Sequence, residues 1–314
     1  MTEAEAPVWV LADPRAGTAA QALGIAERLG LPFRAVPLEW GGVARLPLPW
    51  PSLAGLTPAA RAGFRPPWPR LVLSAGRRSA PVALWLARRH GARTTHCMRP
   101  GFGARRFDLL VLGRHDVPAP APNVLPILGA THRVSPERLV AAREEWAAAL
   151  GALPSPRVAL LVGGPVRAEG MEPATAAGLG ARVAGFAGSV LATASRRTGA
   201  AATSALAAAL AGVPHRLFAW GDAGPNPYLG FLAWADAVVV TGDSVSMLSE
   251  ALTTAGPVFI ADPGGLGPRH LALRGSLIAT GQARMLADAP APFARAPLDE
   301  TGRVAAEIRA RGLV

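Results

Sequence analysis

Short apolar runs alternate with longer Ala-rich segments along this sequence, and that alternation limits the possible folds more than any other feature. The first unit is an apolar run at 8–12, a polar loop at 13–18 and a helical segment that ends before Gly30. A continuous apolar run of about five residues is typical of a strand buried on both faces of a parallel sheet. The pattern therefore predicts an α/β fold with parallel sheets.

The alternation occurs in two blocks, separated by a Gly- and Pro-containing segment at 151–156. Strands are predicted at 8–12, 71–74, 94–98, 108–112 and 123–128, and again at 157–162, 190–194, 216–219, 237–240 and 257–260. The 314 residues exceed the length at which one core stops growing, about 250 to 300 residues. We therefore predict two Rossmann-like domains, at 1–152 and 153–314, whose sheets face each other across a cleft.

Two segments beside these strands have a distinct composition. A helix is predicted from 136 to about 150, with Ser135 as its cap, at the end of the first domain. The Pro-rich stretch 38–70, which carries Trp40, Trp50 and Trp68, is predicted to be a long loop. It either packs on the domain or turns an apolar face towards a lipid or a partner.

The charge is strongly positive, at +11, and every one of the 32 basic residues is Arg. Neither a nucleic-acid-binding motif nor interleaved Arg and aromatic residues accompany this charge, so nucleic acid is not the expected partner. Guanidinium groups suit phosphate-bearing small ligands and anionic lipids. A single Cys, an acidic start and no apolar run of about 18 residues predict a cytoplasmic protein, soluble or peripheral to the inner membrane.

Three polar loops follow strands of the second block and should meet at one edge of its sheet. They contain Gly163, Gly164 and Arg167, then Ser195, Arg196, Arg197 and Thr198, and finally Thr241, Asp243, Ser244, Ser246 and Met247. Close backbone approach, guanidinium groups and a helix start together predict a bound diphosphate. Tight turns and helix caps are the plainer alternatives. Glu250, in an otherwise apolar helix, is either solvated or accepts hydrogen bonds from ribose hydroxyls.

The chain resembles the mitochondrial fission ELM family. The matching stretches are 16–17 with 21–24, 74–80, 107–111 with 115–116, 123–125, 163–165, 195–198, 226–233 and 241–251. The segment 241–260, with Ser-x-x-Ser-Glu-Ala and Gly-Pro-Val, is also similar to the donor motif of GT-B glycosyltransferases of the MurG type. The resemblance implies two Rossmann-like domains of the GT-B kind, with the acceptor on the first, the nucleotide-sugar donor on the second and a last helix that crosses back.

The same resemblance implies the roles of several residues. Glu250 would bind ribose, and Ser244, Ser246 and Met247 would contact the diphosphate. Asn226 and Tyr228, from the matching stretch at 226–233, join the donor set. The first loop, 13–17, lacks the Gly-Gly-x-Gly-Gly run of the MurG enzymes, so the acceptor chemistry does not carry over.

The expected reaction is inverting glycosyl transfer without a metal ion, with the nucleotide sugar as a substrate and no cofactor. Asp13 is the preferred base, and His115 with Asp116 is the competing pair. Arg196 or Arg197 would stabilise the leaving diphosphate. The acceptor side is predicted to include Gly17, Arg77, Arg78 and Ser79. The two guanidinium groups hold an acceptor phosphate or only solvate a helix start, and Ser79 is predicted to be the N-cap of a helix with Pro81 in its first turn. The acceptor itself is unidentified, and the composition favours an anionic or lipid-linked one.

Two other functions fit the same sequence. A nucleotide-sugar epimerase would use the same fold and would isomerise its substrate without an acceptor. A non-enzymatic recruitment or scaffold protein would agree with the fission description of the eukaryotic relatives and would bind no nucleotide sugar.

Overall fold

The computed structural model describes residues 7–46, 48–116, 119–165 and 170–314, so the predicted site residue Arg167 lies outside the described part. The chain divides into two compact units. The first contains the described residues up to Arg133 together with Asp299–Val314, and the second is Val134–Leu298. Each unit is built on one six-stranded sheet whose neighbouring strands are all parallel. The predicted α/β class with two parallel sheets is confirmed.

The strands are β1 Val8–Ala12, β2 Phe33–Pro37, β3 Leu71–Ala75, β4 Arg93–Cys97, β5 Leu109–Gly113, β6 Val124–Ile127, β7 Arg157–Val162, β8 Ser189–Ala194, β9 His215–Ala219, β10 Ala237–Thr241, β11 Val258–Ala261 and β12 Arg284–Met285. The α-helices are α1 Ala16–Leu29, α2 Pro58–Ala62, α3 Ala80–His90, α4 Pro136–Glu145, α5 Ala147–Leu150, α6 Pro173–Ala184, α7 Ala200–Leu210, α8 Tyr228–Trp234, α9 Val245–Ala251, α10 Pro268–Ala279 and α11 Glu300–Ala310. Among the residues described, no helix is both long and apolar enough to cross a bilayer.

The first sheet, in the order β2-β1-β3-β4-β5-β6, is buried on both faces. Alternate residues of β1 face opposite ways: Val8 and Val10 pack with α1 and α11, whereas Trp9 and Leu11 pack with α3 and the Pro-rich segment. The Pro-rich segment is thus largely a packing element of the fold. The exposed indole within it is that of Trp50, since Trp40 and Trp68 are half-buried.

The last helix, α11, belongs to the first unit. The Glu300 carboxylate accepts a hydrogen bond from the backbone N–H of Leu128 at 2.7 Å. The Thr301 hydroxyl oxygen accepts from the His132 N–H at 3.0 Å, and the hydroxyl donates to the His132 carbonyl at 3.1 Å. These contacts join the end of the chain to the segment that follows β6.

Helix α4 lies in the second unit, although the sequence pattern assigned it to a first domain ending at residue 152. It packs against α8, and the Trp146 indole at its end lies so close to Gly230 that a methyl group there would overlap the ring. Ser135 does cap α4, because its hydroxyl oxygen accepts from the Arg138 N–H at 3.2 Å. The position of the helix was therefore predicted correctly, but its own residues did not indicate that it packs against α8.

The second sheet has the order β12-β11-β10-β7-β8-β9. Counted within this unit, the order is 6-5-4-1-2-3, which is the arrangement of dinucleotide-binding Rossmann domains. The chain reverses its direction of travel across the sheet between β7 and β10. Loops at the carboxyl ends of such a pair of strands form the crevice in which this class of fold binds ligands.

Candidate functional site

Loops from three adjacent strands meet at this switch point. Strand β7 lies between β8 and β10, so the loops that follow these strands are neighbours at one edge of the sheet. These are the three loops that the sequence pattern placed together, apart from the undescribed residues 166–169. The backbones at the ends of β7 and β8 are connected directly, because the Ser195 N–H donates to the Val162 carbonyl at 3.0 Å.

The two glycines after β7 allow the loops to approach closely. The Gly163 N–H donates to the Thr241 hydroxyl oxygen at 2.8 Å, and the Gly164 N–H donates to Oδ2 of Asp243 at 2.5 Å. A methyl group on Gly163 would come within 2.8 Å of both Asp243 carboxylate oxygens, and one on Gly164 would overlap the Arg197 carbonyl. Both amides are thus used inside the protein, which makes this turn a support for Asp243 rather than an open phosphate cradle.

The Asp243 carboxylate is the unusual group of the site. The residue is only 9% exposed, and among the described residues its Oδ1 has no hydrogen-bond partner. A buried acceptor without a donor costs about 1 to 3 kcal/mol, and more when it is charged. A ligand that supplies a hydroxyl would remove this cost, whereas a phosphate would be repelled by the carboxylate. The local chemistry therefore favours a sugar hydroxyl at Asp243.

The start of α9 is capped by its neighbour. The Ser244 hydroxyl oxygen accepts from the Met247 N–H at 3.4 Å. Ser244 is therefore the N-cap of α9, a role that the sequence allowed for either Asp243 or Ser244. Ser246 and Met247 are half-buried on the first turn.

The loop after β8 combines two hydroxyls that hold it in place with two available guanidinium groups. Thr198 is fully buried, and its hydroxyl lies 2.5 Å from the Gly163 carbonyl and 3.1 Å from the Val162 carbonyl. The Ser195 hydroxyl oxygen accepts from the Arg197 N–H at 3.2 Å. The side chain of Arg196 is exposed and that of Arg197 half-buried, and neither forms an ion pair with a carboxylate of the described residues. These two side chains can therefore bind an anion.

Glu250 and Tyr228 form a partly buried pair. The Tyr228 hydroxyl donates to Oε2 of Glu250 at 2.5 Å, and the Asn226 side-chain oxygen accepts from the Tyr228 N–H at 3.0 Å. Burial raises the pKa of Glu250 to about 7, with the Tyr228 hydrogen bond acting in the opposite direction. Burial and then the nearby Glu250 carboxylate raise the pKa of Tyr228 well above its usual range. One carboxylate oxygen of Glu250 thus has a fixed donor within the protein.

Arg295 holds the far end of the helix that carries Glu250, and nothing in the sequence pattern indicated it. Its guanidinium donates to the carbonyls of Gly256 at 2.8 Å, Leu252 at 2.9 Å and Thr254 at 2.6 Å. A cation at the carbonyl end of a helix satisfies acceptors that have no partner within the helix. Burial lowers the pKa of Arg295 to about 10, so the group stays charged at neutral pH.

In the first unit, the predicted base Asp13 is engaged by donors on both oxygens. Oδ1 accepts from the Arg15 N–H at 2.9 Å and from Nε of the same residue at 3.2 Å, and Oδ2 accepts from the Trp40 indole N–H at 3.1 Å. The Arg78 guanidinium lies 5.3 Å from the centre of the Trp40 ring. Burial, followed by the charge of Arg15, lowers the pKa of Arg78. Oδ2, which accepts one bond, is thus the oxygen of Asp13 with a further lone pair for a proton.

The other predicted acceptor-side residues differ in exposure. Gly17 is exposed on the first turn of α1, and Arg77 is exposed after β3. Ser79 precedes α3 as expected, but it is fully buried and does not cap the helix. Its hydroxyl lies 2.7 Å from the Ala75 carbonyl, to which it donates. Ser79 thus occupies the predicted cap position of α3, but its hydroxyl forms no cap hydrogen bond, because the adjacent strand end offers it a carbonyl acceptor.

His115 and Asp116 follow β5, with 3.7 Å between Nε2 and Oδ2, and the His115 ring is buried against Gly113. Strands β3 and β4 separate β5 from β1, so at an interstrand spacing of about 4.8 Å the ends of β1 and β5 lie roughly 14 Å apart. Asp13 and the His115–Asp116 pair are therefore alternatives, since they are too far apart to act on one proton. Among the residues described, no three His, Cys, Asp or Glu side chains form a group that could hold a metal ion.

A doubly wound α/β protein with polar loops at its switch point is the class that this fold and site define. The chain belongs to the mitochondrial fission ELM1 family, whose sequence profile matches residues 16–312. The family indicated by the sequence motifs is thereby confirmed.

Several known proteins are similar to this chain. Mitochondrial fission protein ELM1 of Arabidopsis thaliana is 28% identical over 307 residues, which covers 87% of this chain and 71% of that protein. An uncharacterised protein of Rickettsia prowazekii is 27% identical over 113 residues, or 35% of this chain and 32% of that protein. The crystal structure of MurG from Acinetobacter baumannii has a TM-score of 0.49 at 14% identity, covering 98% of this chain and 91% of that chain. A glycosyltransferase from Rickettsia africae has a TM-score of 0.45 at 10% identity, covering 98% and 92%.

Proposed function

We propose that the second unit binds a nucleoside diphosphate sugar and that the protein is a glycosyltransferase. The observation that carries the proposal is the buried Asp243 carboxylate, which has an oxygen without a partner among the described residues and lies at the switch point of a Rossmann-ordered sheet. A hydroxyl donor from a ligand would satisfy this oxygen. The oxygen lies where this class of fold binds nucleotides.

The parts of the donor would be divided among three groups. Asp243 accepts from a sugar hydroxyl, and the guanidinium groups of Arg196 and Arg197 neutralise the diphosphate. Glu250 accepts from ribose hydroxyls with the carboxylate that Tyr228 holds. This division places the carboxylates at hydroxyls and the cations at phosphates, so no like charges are brought together.

In the proposed reaction, a base removes the proton of an acceptor hydroxyl, and the oxygen forms a bond to the anomeric carbon from the face opposite the diphosphate. The bond from that carbon to the diphosphate oxygen breaks, and the diphosphate leaves with the electron pair, so the configuration inverts. Arg196 and Arg197 would stabilise the developing negative charge without a metal ion. Asp13, His115 and Asp116 remain the predicted candidates for the base, and the acceptor is proposed to be anionic or lipid-linked.

Calorimetry with UDP, UDP-N-acetylglucosamine and the corresponding GDP compounds tests the donor site. We expect Asp243→Asn to weaken binding of the cognate nucleotide sugar about tenfold or more while leaving that of the free nucleotide unchanged, because only the sugar contact is lost. Asp222→Asn is the matched control, since Asp222 is exposed and, within the described part of the chain, its side chain accepts only from the N–H of Ala219 at the end of β9.

Other outcomes would point to another function or another site. Equal losses of affinity for the free nucleotide and the nucleotide sugar would mean that Asp243 does not contact the sugar. Isomerisation of the nucleotide sugar without an acceptor would indicate an epimerase. The absence of any heat from all of these compounds would contradict the proposal and favour the non-enzymatic recruitment role that the family's description suggests.

A further inference from the structure

Exposed apolar side chains are concentrated in two loops of the first unit. Among the described residues, nine large hydrophobic side chains are exposed, and four of them lie in these loops: Val43 at 46%, Leu46 at 62%, Trp50 at 57% and Phe102 at 50%. Leu46 and Phe102 line one small recess together with Arg77 and Arg78. We call the four apolar residues and these two arginines the apolar–arginine surface.

The loops of this surface are fixed to the sheet edge. The Ser52 N–H donates to the Pro81 carbonyl at 3.0 Å, which ties the first loop to α3. The Arg77 side chain lies against the backbone of Gly101, next to Phe102. Arg78 is held over the Trp40 ring at 5.3 Å. Apolar side chains and guanidinium groups are thereby presented side by side.

Arginines predominate in the two loops of this surface. The stretches 40–56 and 98–107 contain neither Asp nor Glu, but they carry Arg45, Arg99, Arg105 and Arg106. All four of these arginines are exposed. Asp13 is buried and already accepts from Arg15 and Trp40. Glu39, directly before the first stretch, is exposed and accepts from the Thr57 hydroxyl at 3.1 Å. An exposed apolar patch with a rim of arginines complements an anionic surface that also has an apolar layer.

We propose that the apolar–arginine surface binds an anionic lipid bilayer. Leu46, Trp50 and Phe102 enter the interfacial layer, where amphipathic rings and apolar side chains are stable, while Arg77 and Arg78 bind lipid phosphates. This inference goes beyond the donor site, because it uses only residues of the first unit and holds whether or not the second unit binds a nucleotide sugar.

Cosedimentation of the full-length chain with vesicles tests the proposal, using phosphatidylcholine with and without phosphatidylglycerol. We expect binding to the anionic vesicles and a loss of about tenfold in affinity for Trp50→Ala and for Phe102→Ala, since each removes a large apolar side chain from the interface. Trp220→Ala is the matched control, because Trp220 is 70% exposed in the second unit. Arg77→Gln should reduce the preference for anionic over neutral vesicles.

Three results would overturn the proposal. The first is no vesicle binding by the wild type. The second is equal binding by Trp50→Ala, Phe102→Ala and wild type, which would mean that net charge alone attracts the protein. The third is a protein that does not bind vesicles but forms a concentration-dependent dimer, which Trp50→Ala and Phe102→Ala abolish. In that case a second copy of the chain would cover the surface. Calorimetry with nucleotide sugars is independent of all three, so failure here is distinguishable from failure of the donor site.

Discussion

Glu250 is a carboxyl group whose surroundings hold its pKa at about 7, above the usual 4.5, and the first cause is burial. Because the folded-state pKa is the higher one, the folded protein binds this proton more tightly than the unfolded chain. Ionisation of Glu250 therefore destabilises the fold fully above about pH 7, and this cost disappears as the pH falls towards 4.5.

The substitution Glu250→Gln should remove that cost. We expect the free energy of unfolding to rise by about 1 to 2 kcal/mol near pH 8 and to change little near pH 5. This range is smaller than the full value of about 1.36 kcal/mol per pKa unit, because the Glu250 side chain is partly exposed to solvent. Urea unfolding at the two pH values measures this. Glu172→Gln, which alters an exposed glutamate at the start of α6 without a side-chain cap bond, should change both values by about 0.5 kcal/mol or less. A gain at pH 5 as large as that at pH 8 would contradict the assignment to ionisation.

Tyr228 is predicted to act through Glu250. Its hydroxyl stabilises the carboxylate form, so Tyr228→Phe should raise the pKa of Glu250 further. Nucleotide affinity should then fall about three- to tenfold near pH 7 and recover near pH 8.5, as expected for loss of one hydrogen bond worth about 1 kcal/mol. Calorimetry at both pH values checks this, with the wild type in parallel. A loss of the same size at both pH values would instead indicate a direct contact between Tyr228 and the nucleotide.

The sequence predicted some of these residues for physical reasons and missed others. Glu250 was noticeable as a carboxylate on an otherwise apolar helix that follows a buried strand. Tyr228 was included only through the family resemblance, since an aromatic residue at a helix start usually packs in a core. Arg295 gave no signal, because the carbonyl of Gly256 to which it donates is 39 residues away in the chain. Contacts of that kind depend on how elements pack rather than on local spacing.

The turn after β7 depends on the absence of a side chain at Gly164. A methyl group there would overlap the Arg197 carbonyl, which belongs to the backbone and cannot rotate away. We expect Gly164→Ala to lower the free energy of unfolding by about 2 kcal/mol or more, because the turn must separate from the β8 loop. Thermal and urea unfolding measure the loss.

Gly275→Ala is the matched control for this prediction. Gly275 lies within α10, and a methyl group there would meet nothing within 4 Å. The substitution should raise the stability by about 0.5 to 1 kcal/mol, the usual gain for alanine over glycine inside a helix. If Gly164→Ala behaved like this control, the close approach of the two loops would be wrong.

Elements with a strong local pattern were predicted, and those held mainly by their neighbours were not. Strands β7 and β10 are continuous apolar runs and lie within one residue of the predicted positions. Strand β2 is at an edge and mostly half-exposed, and β12 has only two residues, so neither shows a recognisable apolar run. Helix α10 was missed because only Leu273 and Leu277 of its residues are buried, which leaves a narrow apolar stripe.

At the scale of the whole molecule, the strand order gives the three polar loops their common place. Sequence alone predicted that they follow strands of one sheet, and the rule that ligands bind at carboxyl ends of parallel strands brought them to one edge. It could not predict that β10 pairs with β7, since that pairing joins segments about eighty residues apart. The pairing is what sets Asp243 against Gly164.

The first unit is completed by the end of the chain. Ile308 of α11 is fully buried in the same core as Val10 and Ile25. We expect Ile308→Ala to destabilise the first unit by about 3 kcal/mol through lost burial and the cavity that remains. Hydrogen exchange resolved by segment should show faster exchange in β1 and β3, and unchanged exchange in β7 and β10. This localisation follows from α11 packing on the first sheet although it follows the whole second unit in sequence.

Ile278→Ala provides the matched control, because Ile278 lies on α10 and is 41% exposed. Its loss should cost less than about 0.5 kcal/mol, as is usual for surface substitutions, and should leave exchange in β1 and β3 unaltered. If Ile308→Ala accelerated exchange in β7 and β10 as much as in β1, the two compact units would unfold as one cooperative body. If it accelerated neither, α11 would not contribute to the first core. Faster exchange confined to β1 and β3 is expected because the buried contacts of Ile308 are with the first sheet and α1.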